Sequence, residues 1–333
     1  MAVTVDIFNP QETKVANGLA GKSFLIYGSN SLGKTSQAVR MSKPFVIATE
    51  SGLNATVGVK YNRINTWADF RKIVKQFTSK STVAKARELY DTIIIDELYA
   101  ASLLCQEYVQ SVIGQGALTL GDTVEGGKVN LYQAYEKIFF KAVNDLLSCD
   151  YTVVFIAHAQ EKDGKMQPKG DKRSVDPVKD FVDYVIYLES NGVDEDGNVI
   201  PSSAYLAETD RFFARSRFET TPTYLPVWSA EALEEAVNIG IQGLVDKTGV
   251  AAISYDEQKA QNTSVSLDFD ELKTQLGEVG LRFQKNGRMD VLTETVENVL
   301  GVGRKVSDCT KKQIEAMAII LDDLKDKAEE LGI

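Results

Sequence analysis

The sequence predicts an α/β protein: a mostly parallel sheet flanked by helices, followed by a small helical C-terminal unit. Two observations carry that expectation. Short apolar runs rich in β-branched and aromatic residues alternate with longer stretches whose apolar residues recur at three- and four-residue spacing. The first such run, Ser23 to Tyr27, leads directly into Gly28-Ser29-Asn30-Ser31-Leu32-Gly33-Lys34-Thr35, and Ser36 to Met41 can continue as a helix. That segment reads G-x-x-x-x-G-K-T, and strand, loop and helix start supply the context the motif requires.

The chemistry of the loop follows from its residue types. Two glycines let backbone amides turn inward around phosphate oxygens, where bulkier residues would clash. The helix start adds its positive dipole end to the same oxygens. Gly28, Ser29, Asn30, Ser31, Leu32, Gly33, Lys34, Thr35 and Ser36 are therefore the expected binding residues for a nucleoside triphosphate. Lys34 would reach the β- and γ-phosphates, and the Thr35 hydroxyl would ligate magnesium.

The remaining elements follow in order. Pro44 to Ala48 is expected as a second strand, ending at Thr49-Glu50-Ser51-Gly52. A carboxylate at the carboxyl end of a parallel strand points into the ligand crevice of such sheets, so Glu50 is a candidate for orienting the attacking water, against a solvated loop glutamate. Helical patterns cover 67–77 and 81–90, with Trp67, Phe70, Ile73, Val74 and Phe77 facing a core. The apolar run from Thr92 to Ile95 ends in Asp96, as a magnesium-coordinating strand end requires, and Glu97 is a second candidate for water activation. Residues 98–113 read as helix, 114–128 as a Gly-rich interruption, and 131–148 as helix again. Tyr151 to Ala157 is a fourth strand closed by His158, a candidate γ-phosphate sensor against a purely structural histidine.

The segment 160–179 reads as a loop holding Lys162, Lys165, Lys169, Lys172, Arg173 and Lys179. It is either an exposed loop or one that tracks a polyanion. Strands are expected over 181–188, 204–207 and 211–217, the last placing Arg211, Arg215 and Arg217 on one face with no acid among them. From Trp228 onward the character changes: 229–280 is an acidic helix plus linker, and helices follow over 290–300 and 310–331. Thr310 to Gln313 fits a capping box.

The net charge of −10 argues at first against a nucleic-acid partner. Residues 229–280 hold ten acidic against three basic residues and 281–333 ten against nine, which leaves only −2 for 1–228. Acidity is thus mostly a property of one segment and does not decide the partner. No 18-residue apolar stretch exists, which argues against a membrane span, and the first twenty residues lack the pattern of a secretory leader. Cys105, Cys149 and Cys309 lie far apart with no C-x-x-C pair, consistent with reduced thiols, a cytosolic protein and no zinc site.

Phosphate loop, strand ending in Glu50, strand ending in Asp96, strand ending in His158, then a hairpin carrying Arg215-x-Arg217: this order resembles the RecA-type ATPase core. More narrowly it resembles the RecA-like phage ATPases that act as single-strand annealing or recombination proteins, over roughly residues 18–220. The resemblance implies a magnesium-dependent ATPase, with ATP and Mg2+ as cofactors and Thr35 and Asp96 as the metal's ligands. It implies a single-stranded DNA partner and a ring or filament; with the apolar pattern above, no membrane partner is expected, and the expected location is the cytoplasm, the host's if the chain is phage-encoded. It favours Glu50 over Glu97 as the group that activates water. It also implies that Arg215 and Arg217 reach a neighbouring subunit's γ-phosphate, although the family's pair is commonly Lys-x-Lys or Lys-x-Arg. In the loop interior, Ser29-Asn30-Ser31-Leu32 replaces the more usual Pro-Gly-rich residues. DNA contacts are expected from 114–128 and 160–179. The expected organisation is an N-terminal segment 1–20, a RecA-like core 21–228, an acidic linker 229–280 and a helical unit 281–333. The alternatives are a nucleotide or small-molecule kinase and a nucleotide-gated binding module without catalysis.

Overall fold

A computed structural model of the chain describes residues 10, 12–49, 56–79, 81–261, 267 and 269–333. Contacts divide the chain into two units that meet in sequence between Thr263 and Ser264. In the first unit the elements are, in order, β1 (Ser23–Gly28), α1 (Lys34–Ala38), β2 (Pro44–Ala48), β3 (Lys60–Arg63), α2 (Trp67–Thr78), α3 (Val83–Leu89), β4 (Thr92–Asp96) and α4 (Leu98–Tyr108). Then come α5 (Leu131–Leu147), β5 (Thr152–Lys162), β6 (Lys165–Pro168), α6 (Val175–Phe181), β7 (Tyr184–Glu189), β8 (Ser203–Tyr205), β9 (Arg215–Ser216), β10 (Tyr224–Leu225), α7 (Ala230–Thr248) and α8 (Tyr255–Gln261). The second unit holds α9 (Phe269–Lys285), α10 (Met289–Leu300) and α11 (Ile314–Leu331).

The strands form one sheet in the order β10-β8-β7-β1-β5-β4-β2-β3, with β6 beside β5 and β9 beside β7. All pairings among β7, β1, β5, β4, β2 and β3 are parallel, and those of β6, β8, β9 and β10 are antiparallel. The central strands are apolar on both faces because helices cover both faces. Successive side chains alternate between layers. Leu25, Tyr27, Ile93, Ile95, Val153 and Phe155 pack with residues of α2, α4 and α5, whereas Phe24, Ile26, Ile94, Val154 and Ile186 pack with residues of α7. The mostly parallel sheet flanked by helices is therefore as expected, and so is the helical C-terminal unit. Within the latter, Phe283, Met317, Ile320 and Leu324 share one buried cluster. The capping box also forms, with the Thr310 amide donating to Gln313 Oε1 at 2.8 Å.

Several local expectations need correction. Strand β3 was not anticipated, because Lys60-Tyr61-Asn62-Arg63 is exposed at the sheet edge and carries no apolar run. The expected loop over 160–179 is ordered. Strand β5 runs on to Lys162, turns at Asp163 and Gly164 with φ of 54° and 74°, and returns as β6; helix α6 follows. Two successive positive φ values are what a tight hairpin of this hand needs, and Asp-Gly supplies them. Phe181 ends α6 rather than opening β7, and of 211–217 only Arg215–Ser216 pairs as strand. The acidic segment 229–280 divides. Helix α7 buries Leu233, Ala236, Val237 and Ile241 in the first unit's core, while α9 belongs to the second unit, so residue 280 falls inside a helix. No described helix is long and apolar enough to cross a membrane.

Candidate nucleotide-binding site

Sheet register assembles the site. Gly28 at the end of β1 lies opposite His158 of β5, and Asp96 at the end of β4 lies opposite Ile156 of β5 and Ala48 of β2. The carboxyl ends of four neighbouring strands thus meet along one edge, where parallel sheets bind ligands. The loop leaving β1 folds tightly, with φ of 62° at Ser31 and 82° at Gly33, the latter preceding α1. At Gly28 the reason for glycine is space: a Cβ would lie 2.8 Å from the Leu188 carbonyl oxygen of β7. From the other side, Trp228 Nε1 donates to the Gly33 carbonyl at 3.3 Å, and Gln37 Oε1 accepts from the Ala230 amide at 3.1 Å. The start of α7 is thereby tied to the loop.

Lys34 is buried, and its ammonium donates to the carbonyls of Gly28 (3.0 Å) and Ser29 (2.6 Å). Its charge therefore sits within the concavity that the loop encloses. The Thr35 hydroxyl donates to Asp96 Oδ2 at 2.8 Å. These two hard oxygen donors, brought together across the sheet, fit Mg2+, which prefers one or two protein oxygens alongside phosphate and water. Ser36 Oγ donates to the Gly33 carbonyl at 3.2 Å. The Asp96–Glu97 peptide is cis, and the Glu97 amide donates to Thr49 Oγ1 at 2.8 Å. Glu97 is 3 % exposed, and its Oε1 accepts from the Ala100 amide at 3.0 Å, capping α4. An open cleft of about 660 Å³ beside the loop is lined by Ser29, Asn30, Glu97, Tyr99, His158 and Lys169, among others. Lys169 donates its amide to the His158 carbonyl at 2.8 Å and holds its ammonium 5.4 Å from the Tyr99 ring centre.

The expected loop residues, Asp96, Glu97 and His158 are thus brought to one place. Glu50 lies outside the described residues. Arg215 and Arg217 are elsewhere. Arg215 lies opposite Val185, which is level with Leu25 of β1, and the Arg217 amide donates to the Asp183 carbonyl one step below β7. At about 3.3 Å per residue, that puts them roughly 10 and 17 Å back along the strands from Gly28. Arg215 Nη2 donates to the carbonyls of Lys179, Asp180 and Val182 at 2.7–3.0 Å. Arg217 donates to the carbonyls of Asp180, Phe181 and Val182 at 2.9–3.3 Å and lies 3.7 Å from Asp183. Both guanidinium groups satisfy carbonyls at the end of α6, which would otherwise lack partners. Within one chain they hold a helix end and do not approach the phosphate loop.

Thr49, Tyr99 and Trp228 join the site without having been expected there. Trp228 carried a signal, being one of two tryptophans and lying just before Ser229, whose hydroxyl caps α7. Lys169 stands out in the sequence only by its charge.

Comparison with known proteins agrees with this geometry. The family described as AAA domain matches residues 20–218, more than half of the chain. The SPbeta prophage-derived uncharacterized protein YorG of Bacillus subtilis (strain 168) is 47% identical over 330 residues, covering 97% of this chain and 99% of the relative. The family match runs from before β1 to beyond β9, and the chain belongs to the AAA domain family of P-loop ATPases.

Proposed function

We propose that the chain is a magnesium-dependent ATP hydrolase of RecA type that handles single-stranded DNA in phage recombination or replication, working as a ring or filament. The observation that carries the hydrolase reading is the 2.8 Å hydrogen bond from Thr35 to Asp96. It joins the helix start that holds a triphosphate to the strand end that holds its metal. A bound magnesium ion would neutralise charge developing on the β- and γ-phosphates. Lys34 and the loop amides bind the same oxygens, and His158 at the end of β5 senses the terminal phosphate. Of the two carboxylates considered for water activation, Glu97 lines the cleft with Ser29, Asn30 and His158. This reading assigns the water to Glu97, with Glu50 as the alternative that resemblance to RecA favours. The phage context is supported by the prophage origin of the relative.

Phosphate release is to be measured with no acceptor present, which separates hydrolase from kinase. Lys34→Ala is expected to abolish it, because the ammonium held by the Gly28 and Ser29 carbonyls is the side-chain charge placed inside the loop. Glu97→Gln is expected to retain ATP binding and lose turnover; if Glu50→Gln is the trapped variant instead, the base is Glu50. Parental turnover in Lys34→Ala would refute the hydrolase reading.

A further inference from the structure

A basic groove of the described surface lies away from the nucleotide cleft. Helices α2 and α5 flank an open groove of about 690 Å³, into whose lining they send Arg71, Lys72, Lys75, Lys137 and Lys141, with Asp145 as the accompanying carboxylate. All five cations are exposed. Lys141 pairs with Asp145 at 3.1 Å, whereas Arg71, Lys72, Lys75 and Lys137 form no ion pair among the described residues. On a chain of net charge −10, this is a local excess of positive charge. Low-dielectric walls focus such a field into the groove.

Of the six cations of the expected DNA segment, Lys162 and Lys172 are exposed, and the other four are placed differently. Lys165 is ion-paired with Glu208, Lys179 pairs with Asp176 at 2.8 Å, and Lys169 lines the nucleotide cleft. Arg173 stacks on Tyr132, its guanidinium carbon 4.3 Å from the ring centre. Lys165 and Lys179 must break their ion pairs before they can neutralise a phosphate.

We propose that single-stranded nucleic acid lies along the α2–α5 groove, held by its phosphates; this rests on the reading above that the chain handles single-stranded DNA. The spacing fits a repeating polyanion. Arg71 and Lys75 are four residues apart on α2, and Lys137 and Lys141 four apart on α5, so each pair shares one helix face with a separation of about 6 Å along the axis. Two cationic rows facing one groove suit a chain of phosphates and carry no base readout, so binding is insensitive to sequence. Tyr108, the last residue of α4, is half-buried against the core and also lines the groove, where the exposed part of its ring can meet a base. The same helix is capped at its start by Glu97. One rigid element therefore joins the nucleotide cleft to the groove, which gives strand binding a route to stimulate hydrolysis.

The test is fluorescence anisotropy of a labelled polythymidine oligonucleotide across a salt series, with the full chain. Each single-strand phosphate contact adds ~0.7 to the negative slope of log affinity against log salt. The combined variant Arg71→Gln, Lys72→Gln, Lys75→Gln, Lys137→Gln is expected to flatten that slope by about 2–3 and to weaken binding about 10²-fold at low salt. DNA stimulation of hydrolysis is lost, while basal hydrolysis and the unfolding temperature stay at parental values. Lys137→Glu alone lowers the slope by at least about 0.7 and serves if the combined variant misfolds. A variant Lys165→Gln, Lys172→Gln, Arg173→Gln retains the parental slope. Unchanged binding in both groove variants overturns the proposal and leaves the DNA reading standing. Unchanged DNA binding together with lost self-association in sedimentation also overturns it, and assigns the groove to an acidic face of a second copy. Absence of DNA binding by the parent overturns the proposal and the DNA reading together.

Discussion

Gly28→Ala offers a measurement of how tightly the phosphate loop is built into the sheet. An added Cβ would meet the Leu188 carbonyl oxygen at 2.8 Å, Leu32 Cδ1 at 3.0 Å and Leu188 Cβ at 3.1 Å, where ordinary contact begins near 3.4 Å. The Leu32 side chain can turn away. The Leu188 carbonyl cannot, because β7 is held between β1 and β8 in the sheet. The β1–β7 pair must therefore open by about half an ångström at the root of the loop. Overpacking of this kind costs ~1–3 kcal/mol, which for a domain of this size lowers the unfolding temperature by roughly 2–10 °C. The loop moves with its root. Lengthening two amide–phosphate hydrogen bonds at about 1–1.5 kcal/mol each weakens ATP binding ~30–150-fold. Thermal unfolding and titration with a fluorescent ATP analogue measure the two effects. Gly33→Ala is the comparator for stability: its Cβ meets no described protein atom nearer than Ser36 Oγ at 3.5 Å, so its cost to folding comes from the φ of 82°, ~1–2 kcal/mol. Parental unfolding temperature and ATP affinity in Gly28→Ala would refute the argument that close approach of β7 dictates this glycine.

Two further expectations test other parts of the molecule. Arg215→Ala is expected to cost ~1–3 kcal/mol of stability, because the Lys179 carbonyl loses its guanidinium donor while those of Asp180 and Val182 keep Arg217, with hydrolysis per folded molecule unchanged. A parental unfolding temperature with turnover reduced ~10³-fold would instead restore the role of an arginine finger reaching a neighbouring subunit. Lys22 is 5 % exposed and donates to the Ala16 carbonyl at 2.7 Å; burial pulls its pKa down from 10.5 to about 8, opposed in part by Asp183. The unfolded chain thus binds more protons between those values, so this group's contribution to stability rises with pH through that window. Chemical denaturation of the parent relative to Lys22→Met should show the parent gaining ~2 kcal/mol between about pH 7 and pH 10, and no relative change would refute the shift.

Local chemistry was legible where it depends on neighbours in the chain. The phosphate loop needs its glycines, lysine and threonine in one short run, so Gly28 to Thr35 announces itself. The runs ending in Asp96 and His158 likewise read as buried strands, because a strand covered on both faces must be apolar throughout. Which strands lie side by side is a different matter, decided by long-range packing. Thr35 meets Asp96 because β5 inserts between β1 and β4 and brings the strand ends level, and neither residue's neighbours record that. The arginines show the limit most clearly. Three arginines on one face with no acid among them look uncommitted, yet Arg215 and Arg217 bind the carbonyls of α6, and a backbone carbonyl has no residue signature to detect. The α2–α5 groove is a product of the same physics. Arg71 to Lys75 and Lys137 to Lys141 each read as an ordinary solvated helix face, and only the packing of two helices distant in sequence turns them into one basic surface.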